Sequence, residues 1–528
     1  MNILFALYGD FSSNSANPLA LYARELHSFG HSCAVAVPSG LETVSLHENP
    51  AFRPILYSEV LAAPASVFPD GRSADVIHAC TPREVIRRFV MAYMVRQPTP
   101  LVIYLEDNES WIATRALGFD STTLVRHTAS EISDRLPDAL AHPFYYDSFI
   151  GLADAVAVIQ DKLKIKVPPW VRCETVMIGA DLKFFSPRPS DVSLRSKYGV
   201  GENEKVIVYH GGMNEFTRPS IETLCRAVGL INQQGYPCRF LRTGPIALDF
   251  LGQLPGEITS AICDLGLLPR RELPELLALA DVFVQPGRID AFEDLRLAGK
   301  VADFLAMGRP VVMPDVNIAH LFRDGVDAVL LRTGSAAEIA AKCIALFSDP
   351  QHANEIGQAG RQLAEKYFNV RSQARLLEGV YKTARDHFDP AIALETWRDA
   401  DENTPITLLL ARKLRLLAAS SAKLEFAARD ILTELARHIE QMQQRVGGLE
   451  AVIAEGDFAQ KDAEIVSLKQ QISERDRQIA QLEEAIEGFS NSDSWKLTTP
   501  LRKAKSLIEI ARQRMNLAWL VGRAGRPK

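Results

Sequence analysis

The chain has 528 residues, of which 47% are hydrophobic and only 8% aromatic, and its formal net charge is −6. This length exceeds that of one ordinary domain, so two or three domains are expected. The mild negative charge argues against a protein that binds nucleic acid along its whole surface.

The N-terminus and the cysteines indicate which class of protein, secreted, membrane-spanning or cytoplasmic, the sequence predicts. The opening MNILFALYGD has too short an apolar run for a signal peptide and lacks a basic flank, and the chain contains no apolar run of about 20 residues that would span a bilayer. Seven scattered cysteines form no CxxC pair. They predict reduced, mostly buried thiols of a cytoplasmic protein, without a disulfide framework or zinc site.

Short apolar runs alternate with helical patterns over residues 1–187. The predicted strands are Asn2–Tyr8, Ser32–Val37, Asp75–His78, Leu101–Leu105, Ala153–Ile159 and Thr175–Ile178. Helices are predicted over Asn17–Phe29 and from about Pro82. This alternation predicts a parallel, doubly wound sheet.

The same alternation restarts over residues 188–388. The predicted strands are Lys205–Tyr209, Cys238–Arg242, Val282–Gln285, Val311–Met313 and Ala328–Leu331, with helices from about Pro219 and over Leu273–Ala280 and Ala336–Phe347. Two such halves predict two Rossmann-like domains facing a cleft. Ligands of these sheets bind beyond the carboxyl ends of the strands.

No strand is predicted after about residue 388. Residues 389–448 are predicted as a helical linker region, and 449–489 as a coiled coil in which Arg475 interrupts the apolar seam. The seam residues are Ile465, Leu468, Ile472, Ile479, Leu482, Ile486 and Phe489. Such a coiled coil would pair copies of the chain or dock a partner.

The last segment, residues 490–528, is basic and amphipathic. From Trp495 onward it holds nine lysines and arginines against one acid, Glu509. A tail of this kind can lie on an anionic membrane surface. The alternatives are a solvated basic helix or a segment that docks a partner.

The stretch KVADFLAMGRPVV at 300–312 carries Lys300 and Asp303 at the head of a short apolar helix. Residues three apart share one helix face, so the pair presents a cation and a carboxylate together. The valines that follow predict a buried strand, which sets the pair at the carboxyl edge of the second sheet. This is a suitable place to hold a phosphorylated, hydroxyl-rich ligand such as a nucleotide sugar.

Four segments, in order, resemble a known family: DVIHACTPR at 75–83, GADLKFFSP at 179–187, LGLLPRRELPELLALADVFVQP at 265–286 and KVADFLAMGRPVV. From residue 1 to about 388 the chain resembles the retaining GT-B glycosyltransferases of family 4. The phrase SDSWKLTTPLRKA at 492–504 is similar to one that follows a coiled coil in bacterial surface-polysaccharide glycosyltransferases. The resemblance implies a GT-B fold, a nucleotide-diphosphate sugar as co-substrate, no metal and no other cofactor.

The chain departs from the family at one position. Many members carry two acids eight positions apart, and Asp303 stands at the second of these positions. Leu295 occupies the first, while Asp290, Glu293 and Asp294 lie near it but out of register. Without an acid at position 295, the contact that this position would make with the donor sugar is not predicted.

The resemblance and the chemistry together give a predicted donor site. Breaking the bond to a diphosphate builds negative charge on the leaving group, which cations and backbone N–H groups stabilise. Lys300 and Arg218 are the predicted phosphate-binding cations, and Asp303 is the predicted partner of the ribose hydroxyls. Gly211 and Gly212 would let the backbone approach the diphosphate closely.

The predicted acceptor site lies in the first domain. Glu106, Asp107 and Glu109 follow a strand and are candidates to bind acceptor hydroxyls or to accept the acceptor's proton. His78 is a further catalytic candidate, because it ends a predicted strand that faces the cleft. A polar loop and a structural histidine are the alternative interpretations.

The sequence thus predicts a cytoplasmic, hexosyltransferase-type enzyme that moves a sugar to a glycan or lipid-linked acceptor in bacterial exopolysaccharide or lipopolysaccharide synthesis, with the tail in contact with the inner face of the plasma membrane. One alternative is a catalytically degenerate GT-B scaffold protein in polysaccharide assembly. Another is a different GT-B enzyme, such as a nucleotide-sugar epimerase.

Overall fold

The computed structural model describes residues 1–119, 124, 127, 129–168, 170–190, 192–245, 250–400, 404–420 and 437. The predicted coiled coil and basic tail lie outside the described residues, as does most of the chain between 421 and 448.

The first domain is built on a seven-stranded parallel sheet. Its strands are β1 (Asn2–Leu7), β2 (Ser32–Val37), β3 (Arg53–Leu56), β4 (Val76–Cys80), β5 (Leu101–Leu105), β6 (Ala155–Val158) and β7 (Arg172–Thr175), in the order β3-β2-β1-β4-β5-β6-β7. Its helices are Ala16–Ser28, Tyr57–Ala62, Glu84–Arg96, Glu109–Ala116, Ala129–Arg135 and Tyr146–Leu152, with 3₁₀ turns at Leu41–Leu46, Pro64–Ser66 and Asp161–Lys166. The central strands β1, β4 and β5 are buried along their whole length, as expected for a sheet covered on both faces.

The second domain contains a six-stranded parallel sheet. Its strands are β8 (Lys205–His210), β9 (Cys238–Thr243), β10 (Ile262–Asp264), β11 (Val282–Val284), β12 (Val311–Pro314) and β13 (Val329–Leu331), in the order β10-β9-β8-β11-β12-β13. Its helices are Val192–Lys197, Arg218–Gln233, Gly256–Thr259, Leu273–Ala278, Lys300–Ala306, Ala336–Ser348 and Pro350–Tyr367, with 3₁₀ turns at Leu251–Gln253, Arg270–Glu272, Glu293–Leu295 and Asn317–Leu321. Two Rossmann-like domains followed by helices confirm the predicted fold class.

The helix Val370–Asp386 follows the second domain in sequence but packs against the first. It contacts the helix Ala16–Ser28 and strands β4, β5 and β6. Its apolar residues Leu377, Val380 and Tyr381 are buried, because they cover one face of the first sheet. The helices Pro390–Trp397 and Ile406–Ser420 then pack on each other, and the latter also packs on Tyr146–Leu152.

The predicted strand Thr175–Ile178 was wrong in position, because the edge strand is Arg172–Thr175. Val176 and Met177 are buried but are not part of a strand. The Val176 N–H still bonds to the Val158 carbonyl of β6 at 2.9 Å, whereas side chains take up the next backbone groups. Tyr104 donates a hydrogen bond of 2.7 Å to the Val176 carbonyl, and the Met177 N–H donates one of 2.8 Å to Gln373. An apolar run alone does not distinguish a buried strand from a buried connection.

All seven cysteines lie in the described part of the chain and are free thiols, as predicted. Five are buried, and burial raises the pKa of Cys33, Cys225 and Cys343 to about 12. Among the described helices, none combines the length and apolar character needed to cross a bilayer.

Candidate functional site

Two glycine turns meet at the carboxyl edge of the second sheet. Gly211 follows β8 and Gly244 follows β9, and both have positive φ, +138° and +113°. A Cβ on Gly244 would lie 2.6 Å from the carbonyl carbon and oxygen of Gly211. Only glycine permits this backbone conformation together with such close packing.

The turn at Gly211 lies directly against Lys300. A Cβ on Gly211 would lie 2.6 Å from Cε of Lys300 and 3.1 Å from its Nζ. The ammonium also lies 4.8 Å from the centre of the Tyr209 ring, at the end of β8. The structure therefore gathers a cation and a close-packed glycine turn at one point of the sheet edge.

Asp303 lies one helical turn beyond Lys300 and faces the end of β8. Its Oδ2 lies 3.4 Å from Nε2 of His210, and this nitrogen has no hydrogen-bond partner within the described part of the protein. Both side chains are largely buried, at 15% and 17% exposure. His210 was not predicted as a site residue, although it stands immediately before the two predicted glycines.

A buried arginine forms hydrogen bonds to the backbone of these glycine turns. Arg242 in β9 is fully buried and forms an ion pair of 2.9 Å with Asp264. Its Nη2 donates a hydrogen bond of 2.7 Å to the Gly244 carbonyl. Arg242 therefore fixes the turn that packs on Gly211. Sequence reasoning missed this role, because an arginine inside an apolar strand gives no sign of its partner.

The other predicted cation, Arg218, begins the helix Arg218–Gln233 and is already engaged by protein groups. It donates a hydrogen bond to Oε1 of Gln253 and lies 5.5 Å from the centre of the Phe250 ring. Gly212 is exposed beside Pro245, 3.6 Å from where its Cβ would stand.

In the first domain, Glu106 and Asp107 follow β5 at the carboxyl edge of the sheet. Ser15 donates a hydrogen bond of 2.5 Å to Oε2 of Glu106. Burial raises the pKa of Glu106 to about 7 and that of Asp107 to about 6, and Arg296 opposes the shift of Asp107. Two carboxyl groups that change charge near neutral pH lie at this edge.

Glu109 has a different environment from its neighbours. Its side chain is completely buried, and both of its oxygens accept hydrogen bonds from Nε of Arg83, at 3.1 and 3.2 Å. The Arg83 guanidinium also lies 3.8 Å from the centre of the Tyr8 ring. This pair joins the segment after β4 to the helix Glu109–Ala116.

His78 does not face the space between the domains, contrary to the prediction. It lies within β4, is 1% exposed, and its Nδ1 is 2.7 Å from the Tyr381 hydroxyl. Burial lowers the pKa of the imidazole to about 3, so the ring is neutral at ordinary pH. The helix Val370–Asp386 covers this strand, and that contact was not visible in the local sequence.

The two domains contact each other beside these carboxyl edges. Trp111 stacks on Phe292 with ring centres 4.2 Å apart, and Arg296 lies 4.0 Å from Asp107. Glu293 lies 3.3 Å from Arg296, is 5% exposed, and burial raises its pKa. Leu295, at the position where the family carries an acid, is buried. Glu293 and Arg296 were not predicted as site residues, although the run of acids around 290–294 pointed to this segment.

One family model matches a part of the chain that lies within the second domain. Residues 204–349 match the family model described as "Glycosyl transferases group 1". The second domain thus matches a glycosyltransferase family. The described part of the chain contains no cluster of three or more histidines, cysteines or acids with the arrangement of a metal site.

Two curated relatives match part of the chain. EpsD of Bacillus subtilis (strain 168), which is named as a glycosyltransferase, is 27% identical over 190 residues, covering 35% of this chain and 46% of EpsD. The sulfoquinovosyl transferase SQD2 of Arabidopsis thaliana is 28% identical over 199 residues, or 36% of each chain. The chain therefore spans less than half the length of either relative.

Solved structures resemble the chain over a larger share. HepE of Anabaena in complex with UDP-glucose has a TM-score of 0.55 and 17% identity, over 72% of this chain and 100% of HepE. Sucrose-phosphate synthase of Thermosynechococcus elongatus has a TM-score of 0.53 and 15% identity, over 72% and 98%. At these identities the likeness concerns the fold, and it supports the GT-B assignment.

Proposed function

We propose that the protein is a glycosyltransferase that moves a sugar from a nucleotide-diphosphate sugar to a glycan or lipid-linked acceptor. The observation that carries the proposal is the contact of Lys300 with the Gly211 turn, with Asp303 and His210 beside it. A diphosphate bound against this turn would meet the ammonium, and the nucleotide hydroxyls would meet the carboxylate. The match of this domain to a glycosyltransferase family supports the same conclusion.

Lys300, Arg218 and Glu106 each have a chemical role in the proposed reaction. Lys300 stabilises the charge that develops on the departing diphosphate, because a fixed cation needs no rearrangement during the reaction. Arg218 would assist it after exchanging its contact with Gln253 for a phosphate oxygen. Glu106, with a pKa of about 7, is the candidate that receives the acceptor proton.

The finer assignment concerns the substrates and the pathway. We infer a UDP-sugar as donor, since HepE is described in complex with UDP-glucose. A retaining reaction, a hexosyl group and a role in surface polysaccharide synthesis rest on the family-like segments and on the phrase SDSWKLTTPLRKA. The proposed peripheral membrane contact rests on the basic residues of the tail.

The direct test compares the wild-type protein with Lys300→Ala in a donor screen that measures release of the nucleoside diphosphate in the presence of acceptor. Loss of a charge-assisted contact worth about 1.5–3 kcal/mol is expected to lower kcat/KM roughly tenfold to a hundredfold. Unchanged turnover in a folded Lys300→Ala protein would refute the assignment of the donor site.

A further inference from the structure

The segment 292–296 lies between β11 and the helix that begins at Lys300, and the first domain holds it in place. Gln160 donates a hydrogen bond of 2.8 Å from Nε2 to the Asp294 carbonyl, and Nζ of Lys162 lies 2.5 Å from Oδ1 of Asp294. Both first-domain residues follow the carboxyl end of β6. A backbone contact and a side-chain contact from one domain therefore fix a single residue of the other.

Asp294 also has a partner within its own domain. The same Oδ1 accepts a hydrogen bond of 2.9 Å from the Asn317 N–H, and Nδ2 of Asn317 donates one of 3.3 Å to the Glu293 carbonyl. Asn317 is 7% exposed and has φ of +49°, in the left-handed region that costs a side-chain-bearing residue energy. Asp294 thus connects its own segment to the backbone at Asn317 and to two side chains of the first domain.

Other residues of the segment point toward the proposed site. Glu293 and Arg296 form an ion pair of 3.3 Å, and Arg296 lies 4.0 Å from Asp107. Phe292 stacks on Trp111 of the first domain. The segment therefore holds Asp294 on the Lys162 side, and Glu293 and Arg296 on the side of Asp107.

We propose that Lys162 and Gln160 are positioning residues that hold the segment 292–296 when the two domains are together, so that domain contact presents Glu293 and Arg296 to the bound substrates. Neither residue touches the proposed donor site, and both act through Asp294. The expected effect on the rate of sugar transfer rests on the proposed function, whereas the expected effect on the position of the segment 292–296 does not.

The test uses full-length Lys162→Met, with Lys164→Met as matched control and Lys162→Arg as rescue. Lys164 lies in the same 3₁₀ turn, but its ion pair of 2.8 Å joins Asp161 of its own domain. The side chains of Lys162 and Asp294 are 40% and 38% exposed, which limits the effect of their separation. Loss of such a pair is expected to speed amide hydrogen exchange over 292–298 by about twofold to fivefold, and by less at high salt.

The activity readout separates positioning from general destabilisation. Lys162→Met is expected to lower kcat about twofold to fivefold while leaving the melting temperature and the affinity for UDP unchanged, because the pair is half-exposed and lies outside the nucleotide contacts. Lys162→Arg is expected to restore both exchange and kcat.

Unchanged exchange in Lys162→Met, or an equal increase in Lys164→Met, would overturn the proposal. A wild-type protein without transferase activity would refute the proposed function alone, since the exchange comparison would still decide whether Lys162 holds the segment.

Discussion

Alanine at Gly211 perturbs the proposed donor site at its closest contact. The new Cβ would stand 2.6 Å from Cε of Lys300, well inside the van der Waals contact distance of two carbons from different residues, so the end of the lysine must move. The φ of +138° adds backbone strain of about 1–3 kcal/mol for a residue with a side chain. Displacement of the ammonium removes a charge-assisted contact worth about 1.5–3 kcal/mol, or roughly tenfold to a hundredfold in affinity for a nucleoside diphosphate.

Gly212→Ala provides the matched comparison, because its Cβ would come no closer than 3.6 Å to any described heavy atom outside its chain neighbours, an ordinary contact distance to Cδ of Pro245. Isothermal titration with UDP measures both variants against the wild-type protein. A loss of less than about threefold is expected for Gly212→Ala, since no steric clash arises there. Wild-type affinity in folded Gly211→Ala, or an equal loss in both variants, would contradict the placement of the diphosphate against Lys300.

Three further predictions concern the first domain and its connection to the second. Glu106 is protonated below its pKa of about 7, so sugar transfer should slow as pH falls through 7, and Glu106→Gln should remove this pH dependence. The raised pKa also means that the folded protein binds a proton more tightly than the unfolded chain does. The wild-type protein should therefore lose stability relative to Glu106→Gln as pH rises from about 4.5 to 7. Tyr381→Phe leaves Nδ1 of His78 unpaired and should lower the free energy of unfolding, measured by chemical denaturation, by about 1–3 kcal/mol. The pH profile of the transfer rate should not change. Gly179→Ala places a Cβ 2.3 Å from Cα of Val370 and should lower the melting temperature, whereas Gly379→Ala, with open space in a helix, should stabilise by about 0.5–1 kcal/mol.

Much of the second-domain site follows from local patterns. The apolar runs of β8 and β12 are nearly continuous, so a buried parallel sheet and its carboxyl edge were predictable from periodicity. The three-residue spacing of Lys300 and Asp303 then set both on one helix face near that edge. Their neighbours Gly211 and Gly244 carry the positive φ that glycine allows.

The environments of His78 and Glu109 depend on contacts distant in sequence. His78 was interpreted as a strand end, but β4 continues to Cys80 and the partner of His78 comes from residue 381. Glu109 pairs with Arg83, 26 residues earlier. No local pattern predicts such partners.

The contacts between the domains depend on the same kind of information. Lys162 and Asp294 are 132 residues apart, and each belongs to a polar run that would be solvated in isolation. Only the arrangement of the two sheets brings them within ion-pair distance. The edge strands β3 and β10 were also missed, since each is short and has one neighbour.

The central claim is that the edge formed by Gly211, Lys300 and Asp303 binds a nucleoside diphosphate. Titration of the full-length protein with UDP, GDP and dTDP, repeated on Lys300→Ala, tests it most directly. The account predicts that the wild-type protein binds at least one of these nucleotides and that Lys300→Ala binds it roughly tenfold to a hundredfold more weakly. Absence of binding to all three by the folded wild-type protein would contradict the account and favour a scaffold role for the fold.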